Sequence, residues 1–324
     1  MKAVQFNRFG GPEVLEVVEL ARPAAMPGEV LVKVAAAGIN FFEVLMRADR
    51  YAVKPGLPAF PGVEVAGTVE AVGDGVDRRL LRQRVAVPLF ASARPFGGYA
   101  QYVTIAAGLA VPLPEMLSFE DATALMVQGL TALHLPRQSP PAGRTLLVPA
   151  AAGGVGSLLV QLAKGQGARR VIALAGGKAK RDFALSLGAD AAIDSSEADW
   201  PARVRDACDG VEIVYDTVGG ALTNGFLDVL APGGELVFAA LGRFQLSALD
   251  IETMIGRNQA LRGFALLPLL SPDILRSGLA QLFELAASAR LKVAIGGRFP
   301  LHEAGEAHRL LEERRAIGKI VLLP

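Results

Sequence analysis

The residues best placed to do chemistry form a glycine turn. Ala150-Ala151-Ala152-Gly153-Gly154-Val155-Gly156 follows the apolar run Thr145-Leu146-Leu147-Val148-Pro149. It opens a segment in which Leu158, Leu159, Leu162 and Ala163 fall at helical spacing. Another apolar run begins at Val171. A glycine pattern alone carries little weight, because any tight strand-to-helix turn can use one. Between a buried strand and an apolar helix it points to a dinucleotide. Glycine lets the backbone approach a pyrophosphate, and the helix N-terminus meets it with free N–H groups and partial positive charge. Ala152, Gly153, Gly154 and Val155 are the candidate contacts.

The end of the next strand selects the cofactor. An Asp or Glu there binds a ribose 2′-hydroxyl and repels a 2′-phosphate. This chain reads Ala173-Leu174-Ala175-Gly176-Gly177, followed by Lys178, Lys180 and Arg181. No carboxylate stands at that point and three cations follow, which predicts NADPH, although cations in such a row also serve as a solvated helix face. Ala239-Ala240-Leu241-Gly242 follows another strand at its carboxyl end, where open α/β sheets bind ligands. The backbone of Ala240 and Leu241 is therefore a candidate to hold the nicotinamide carboxamide, or else an ordinary loop.

Other chemistries find little support. Cys208 is the single cysteine, which excludes an intrachain disulfide and a multi-cysteine zinc site. It lies in the polar stretch Asp206-Ala207-Cys208-Asp209, with no base beside it. His134, His302 and His308 are scattered, so the expectation is no metal. The 33 basic and 32 acidic residues leave a net charge of +1, which gives no global field for nucleic acid or an anionic membrane. The N-terminus lacks a signal-peptide core, and apolar stretches such as 266–270 are too short to span a bilayer. A cytoplasmic location is expected.

The elements around these residues change character along the chain. The first third is rich in short strands, at 29–34, 63–72 and 84–88, punctuated by glycine and proline. From Ser118, which caps a helix expected to run to about residue 135, strands and helices alternate. Such βαβ units imply a parallel, doubly wound sheet. A charged amphipathic helix at 303–315 and a closing strand at 318–323 complete the chain. The division expected is 1–117, 118–260 and 261–324.

Several motifs carry a family resemblance over essentially the whole chain. They are Val34-Ala35-Ala36-Ala37-Gly38-Ile39-Asn40, Pro61-Gly62-Val63-Glu64-Val65-Ala66-Gly67 and Gly97-Gly98-Tyr99-Ala100-Gln101-Tyr102. The glycine turn comes next, then Val214-Tyr215-Asp216-Thr217-Val218-Gly219 and Gly318-Lys319-Ile320-Val321-Leu322. In this order and spacing the chain resembles the zinc-free medium-chain dehydrogenase/reductases of the quinone oxidoreductase, or zeta-crystallin-like, group. The resemblance implies an α/β fold: a GroES-like β-barrel catalytic domain, completed by the C-terminal tail, with a Rossmann domain inserted and the active site in the cleft. Zinc-dependent relatives carry a cysteine near Asn40 and a histidine just before Glu64, where this chain has Phe41-Phe42-Glu43 and Val63.

The resemblance also assigns roles. Asn40 faces the cofactor near the nicotinamide and is, with Tyr51, a candidate donor to the substrate oxygen, although its position also suits an Asx turn or helix cap. Tyr51 matches a cleft tyrosine able to donate a hydrogen bond or proton, and otherwise is an exposed loop aromatic. Lys180 meets the 2′-phosphate, and Gly177 stands where relatives often carry Ser or Thr. Lys319 and Arg314 reach the cofactor phosphates or their surroundings, though Arg314 belongs to a charged run. The expected reaction is NADPH-dependent reduction of a quinone or related electrophilic enone. The alternatives are an enoyl-thioester reductase and, in another class, a non-catalytic NADPH-binding structural or RNA-binding protein. The apolar segment 261–270 predicts a homodimer through an edge strand.

Overall fold

The computed structural model describes all residues from Met1 to Pro324. They divide into two compact units, Met1–Leu130 with Leu270–Pro324, and Thr131–Leu269.

In the first unit, β-branched residues build a seven-stranded sheet. Its order is Ile295–Pro300, Lys319–Leu323, Glu29–Ile39, Val65–Val72, Arg84–Val87 and Val111–Pro112, with Tyr102–Ala106 also paired to Glu29–Ile39. The long strand Glu29–Ile39 is therefore the hub. Its Val30, Val32, Val34 and Ile39 pack with Val65, Val69, Val85, Val87, Ile320 and Leu322. Each such side chain stabilises the unit by roughly 1.5–3 kcal/mol. Two registers position the polar residues of this unit. Ile320 pairs with Ile39 and Val321 with Gly38, so continuing the ladder sets Lys319 across from Asn40. Ala37 pairs with Val65, which brings Glu64 beside Gly38.

The second unit is a six-stranded, all-parallel sheet. Its order is Ala191–Ile193, Arg170–Leu174, Thr145–Pro149, Val211–Asp216, Leu230–Phe238 and Ala260–Gly263. In chain order this reads third, second, first, fourth, fifth, sixth, the arrangement of a doubly wound dinucleotide fold. The expected strands are present with small shifts. Ala191–Ile193, only three residues long, was not expected, whereas Ala260–Gly263 is the edge strand anticipated at the start of 261–270 and lies exposed. The helix expected from Ser118 is present, but its second turn widens to a π-turn at Leu125–Gly129.

Candidate active site

The glycine turn sits where the strand order reverses. Thr145–Pro149 has Arg170–Leu174 on one side and Val211–Asp216 on the other, and open α/β sheets bind ligands in the crevice at that point. Ala150 leaves the strand with φ 47°. The helix Gly154–Gly165 then starts from Gly153 with no side-chain cap. Its first N–H groups thus have no intrachain capping side chain, and an anion would satisfy them. Gly156 must be glycine: a Cβ there would lie 2.3 Å from the Ala150 carbonyl oxygen and 2.8 Å from Ala151 Cα. Ala152 is buried beneath the turn, while Gly153, Gly154 and Val155 are half-buried. These features fit a dinucleotide pyrophosphate.

Neighbouring loops lie at the same carboxyl edge. Asp216 accepts hydrogen bonds from Val218 N–H at 2.9 Å, Gly219 N–H at 2.7 Å and Thr223 Oγ1 at 3.0 Å, which fixes the loop after the fourth strand. Burial raises its carboxyl above the ordinary range. After the fifth strand, Ala240 is buried and Leu241 is 55% exposed. After the second strand, Gly177 begins the helix Lys178–Ser186 with φ 78° and Lys180 is half-buried on it. Here the structure corrects the expectation that no carboxylate is available. Asp194, one residue beyond the adjacent third strand, accepts the Gly177 N–H at 3.3 Å and forms an ion pair with Arg181. Lys178 is paired with Asp182 at 2.6 Å.

In the first unit, Asn40 ends the hub strand and precedes the helix Phe41–Arg47. Its amide is turned inward. Nδ2 donates to Glu64 Oε1 at 2.9 Å and to Glu43 Oε2 at 3.3 Å, and Oδ1 accepts from Lys319 Nζ at 2.8 Å. Both amide protons are therefore spent on carboxylates, and Asn40 is not available to donate to a substrate oxygen. Lys319 is also placed differently from the sequence expectation: its ammonium forms a fully buried ion pair with Glu64. Gly38 makes the room, since a Cβ there would lie 2.6 Å from Glu64 Oε1 and 2.7 Å from Lys319 Cε. Glu64 Oε2 accepts from Val127 N–H, on the π-turn, at 2.7 Å.

Glu43 completes the cluster. It accepts from Asn40 N–H at 2.7 Å and Gly62 N–H at 2.8 Å. Burial nevertheless pushes its carboxyl up to about 7, against those two N–H groups and the Lys319 charge. Beyond it Tyr99 meets His308 Nε2 at 3.2 Å. Burial and the Arg47 charge push the His308 imidazole down to about 3, so it is neutral.

Tyr51 differs from Asn40 in being uncommitted. Its ring stacks on Phe42 with centroids 5.5 Å apart, and its hydroxyl makes no hydrogen bond within the chain. Partial burial raises its pKa, so the phenol remains a proton-bearing donor. Arg314 is exposed, with φ 53°, just after the helix Ala304–Glu312. No three His, Cys, Asp or Glu side chains converge as a metal-binding group.

Comparisons with known proteins decide the family. Residues 26–115 match the alcohol dehydrogenase GroES-like domain, and residues 154–283 match the family described as zinc-binding dehydrogenase. A quinone oxidoreductase of Pseudomonas aeruginosa is 35% identical over 332 residues, covering 100% of this chain and 99% of that protein. The chain belongs to the quinone oxidoreductase family of medium-chain dehydrogenase/reductases. The Escherichia coli quinone oxidoreductase solved with NADPH is 32% identical, with TM-score 0.91 and 100% of both chains covered. The quinone oxidoreductase of Thermus thermophilus, also solved with NADPH, is 35% identical, with TM-score 0.84 and 100% of both chains covered. Within the family frame, Glu43, Glu64 and Asp194 are the residues that sequence reasoning passed over. A glutamate inside the apolar run Val63-Glu64-Val65-Ala66 and a lysine inside Gly318-Lys319-Ile320-Val321 were the signal for a buried pair.

Proposed function

We propose that this chain is an NADPH-dependent quinone reductase acting without zinc, in the cytoplasm, as a homodimer and without a nucleic-acid partner. The observation that carries the cofactor reading is the uncapped helix N-terminus after Gly153, set at the point where the strand order reverses. NADPH, when bound, supplies a hydride from its nicotinamide C4. Ala152, Gly153, Gly154 and Val155 would hold the pyrophosphate, Gly177 and Lys180 the ribose phosphate, and Ala240 and Leu241 the carboxamide. Tyr51 donates to the substrate oxygen on which negative charge develops, and solvent returns its proton. Asn40 serves through the cluster it shares with Lys319 and Glu64, which fixes the start of the helix carrying Phe42.

The unit that carries Tyr51 also favours an uncharged flat substrate over a nucleotide-tailed thioester. It holds a cavity of about 350 Å³ walled by Phe6, Met46, Pro58, Phe60 and Phe96, with Glu43 also in its lining. The cation in its lining, Arg94, is paired with Glu29. NADPH oxidation measured with quinones, alkenals and enoyl-CoA esters tests the reading. Quinones should give the highest kcat/KM; a higher value with enoyl-CoA esters would transfer the function to thioester reduction.

A further inference from the structure

Asp194 stands where the cofactor is chosen, and the proposed reaction makes no use of it. It follows the strand Ala191–Ile193, which pairs in parallel with Arg170–Leu174 so that Ile193 lies opposite Leu174. Its carboxylate thus reaches the edge occupied by Gly176 and Gly177. It accepts the Gly177 N–H at 3.3 Å, the Ser196 N–H at 3.0 Å and the Ser196 hydroxyl at 2.6 Å, besides its ion pair with Arg181. The pair is well shielded, with the Asp194 side chain 12% and the Arg181 side chain 25% exposed. A helix-start N–H, a guanidinium and a serine hydroxyl are the donors that a ribose 2′-phosphate needs.

We propose that Asp194 is a built-in anion that sets the balance between NADPH and NADH. It neutralises Arg181 and takes the Gly177 N–H, so a 2′-phosphate binds against like charge. A 2′-hydroxyl finds in the same carboxylate a hydrogen-bond acceptor. The chain therefore prefers NADPH by less than its row of cations would give, and uses NADH as well. The inference rests on the reading that the glycine turn holds a nicotinamide dinucleotide.

The test is calorimetric titration of NADPH and NADH into the unmodified protein, Asp194→Asn, Asp194→Ser, Arg181→Gln and the Asp194→Asn/Arg181→Gln double variant. In the unmodified protein the two dissociation constants should lie within about tenfold of each other, the size of one charge-assisted contact. Both Asp194 variants should shift their ratio toward NADPH by about tenfold, mainly by tightening NADPH. Arg181→Gln should weaken NADPH by about twofold alone but about tenfold beside Asp194→Asn, because the guanidinium becomes available only when its partner is neutral. A preference for NADPH of about a hundredfold or more in the unmodified protein overturns the inference. So does a ratio unmoved, or moved toward NADH, in an Asp194 variant. Binding of neither nucleotide to the unmodified protein would instead overturn the dinucleotide reading, and this inference with it.

Discussion

Lys319 and Glu64 form an ion pair with no solvent exposure, 255 residues apart in the chain. Such a pair adds little net stability over apolar packing, but breaking it strands one charge in a dry interior. Lys319→Met should therefore cost about 3–5 kcal/mol, and the double variant Glu64→Gln/Lys319→Met should recover part of the loss. Urea unfolding of the two variants checks this; equal destabilisation in both would mean that the charges are not coupled. Tyr51 poses the opposite case, a donor with nothing in the chain to bond. Tyr51→Phe should lower kcat by about 10–1000-fold with little change in NADPH affinity. Unaltered kcat, with hydride transfer shown to be rate-limiting, would leave solvent as the proton source. At this scale the sequence was legible by type but not by partner. Asn40 was visible as a candidate and Glu43 lies only three residues on, yet its saturation by Glu64 and Lys319 depends on strands that only the sheet brings together.

Among the elements, the glycine turn was the most legible because its information is local: strand, turn and helix are contiguous in the chain. Its tightest point is Gly156, where any side chain meets the Ala150 backbone. Gly156→Ala should push the helix away from the turn and weaken NADPH binding about tenfold or more, with a loss of about 1–3 kcal/mol in stability from overpacking. Fluorescence titration beside thermal unfolding reads both; an unchanged dissociation constant would show that the turn does not touch the cofactor. The third strand, Ala191–Ile193, was not legible, because three residues carry no measurable period. With it went Asp194, whose effect on the cations around Gly177 arises only from the parallel pairing with the second strand. The π-turn at Leu125–Gly129 was hidden in the same way, since its Val127 N–H answers a carboxylate 63 residues away.

For the whole molecule, the order of the motifs carried the fold, and full-length similarity to quinone oxidoreductases agrees with it. The edge of the parallel sheet bears on assembly. Ala260–Gly263 is exposed and pairs on one side only, and Leu261, at 39% exposure, and Leu267, at 57%, lie near it. An uncovered edge of this kind is a template for pairing. Light scattering should give twice the chain mass at micromolar concentration; a monomer there would count against edge pairing. The reaction proposed for this chain passes a hydride from NADPH to a quinone without a metal. Its most direct test is the stoichiometry of NADPH oxidation with a quinone, before and after exhaustive chelation. One NADPH should be consumed per quinone reduced, at a rate that chelation leaves unchanged. NADPH that binds but is not oxidised by any quinone, or turnover that disappears with removed zinc, would contradict it.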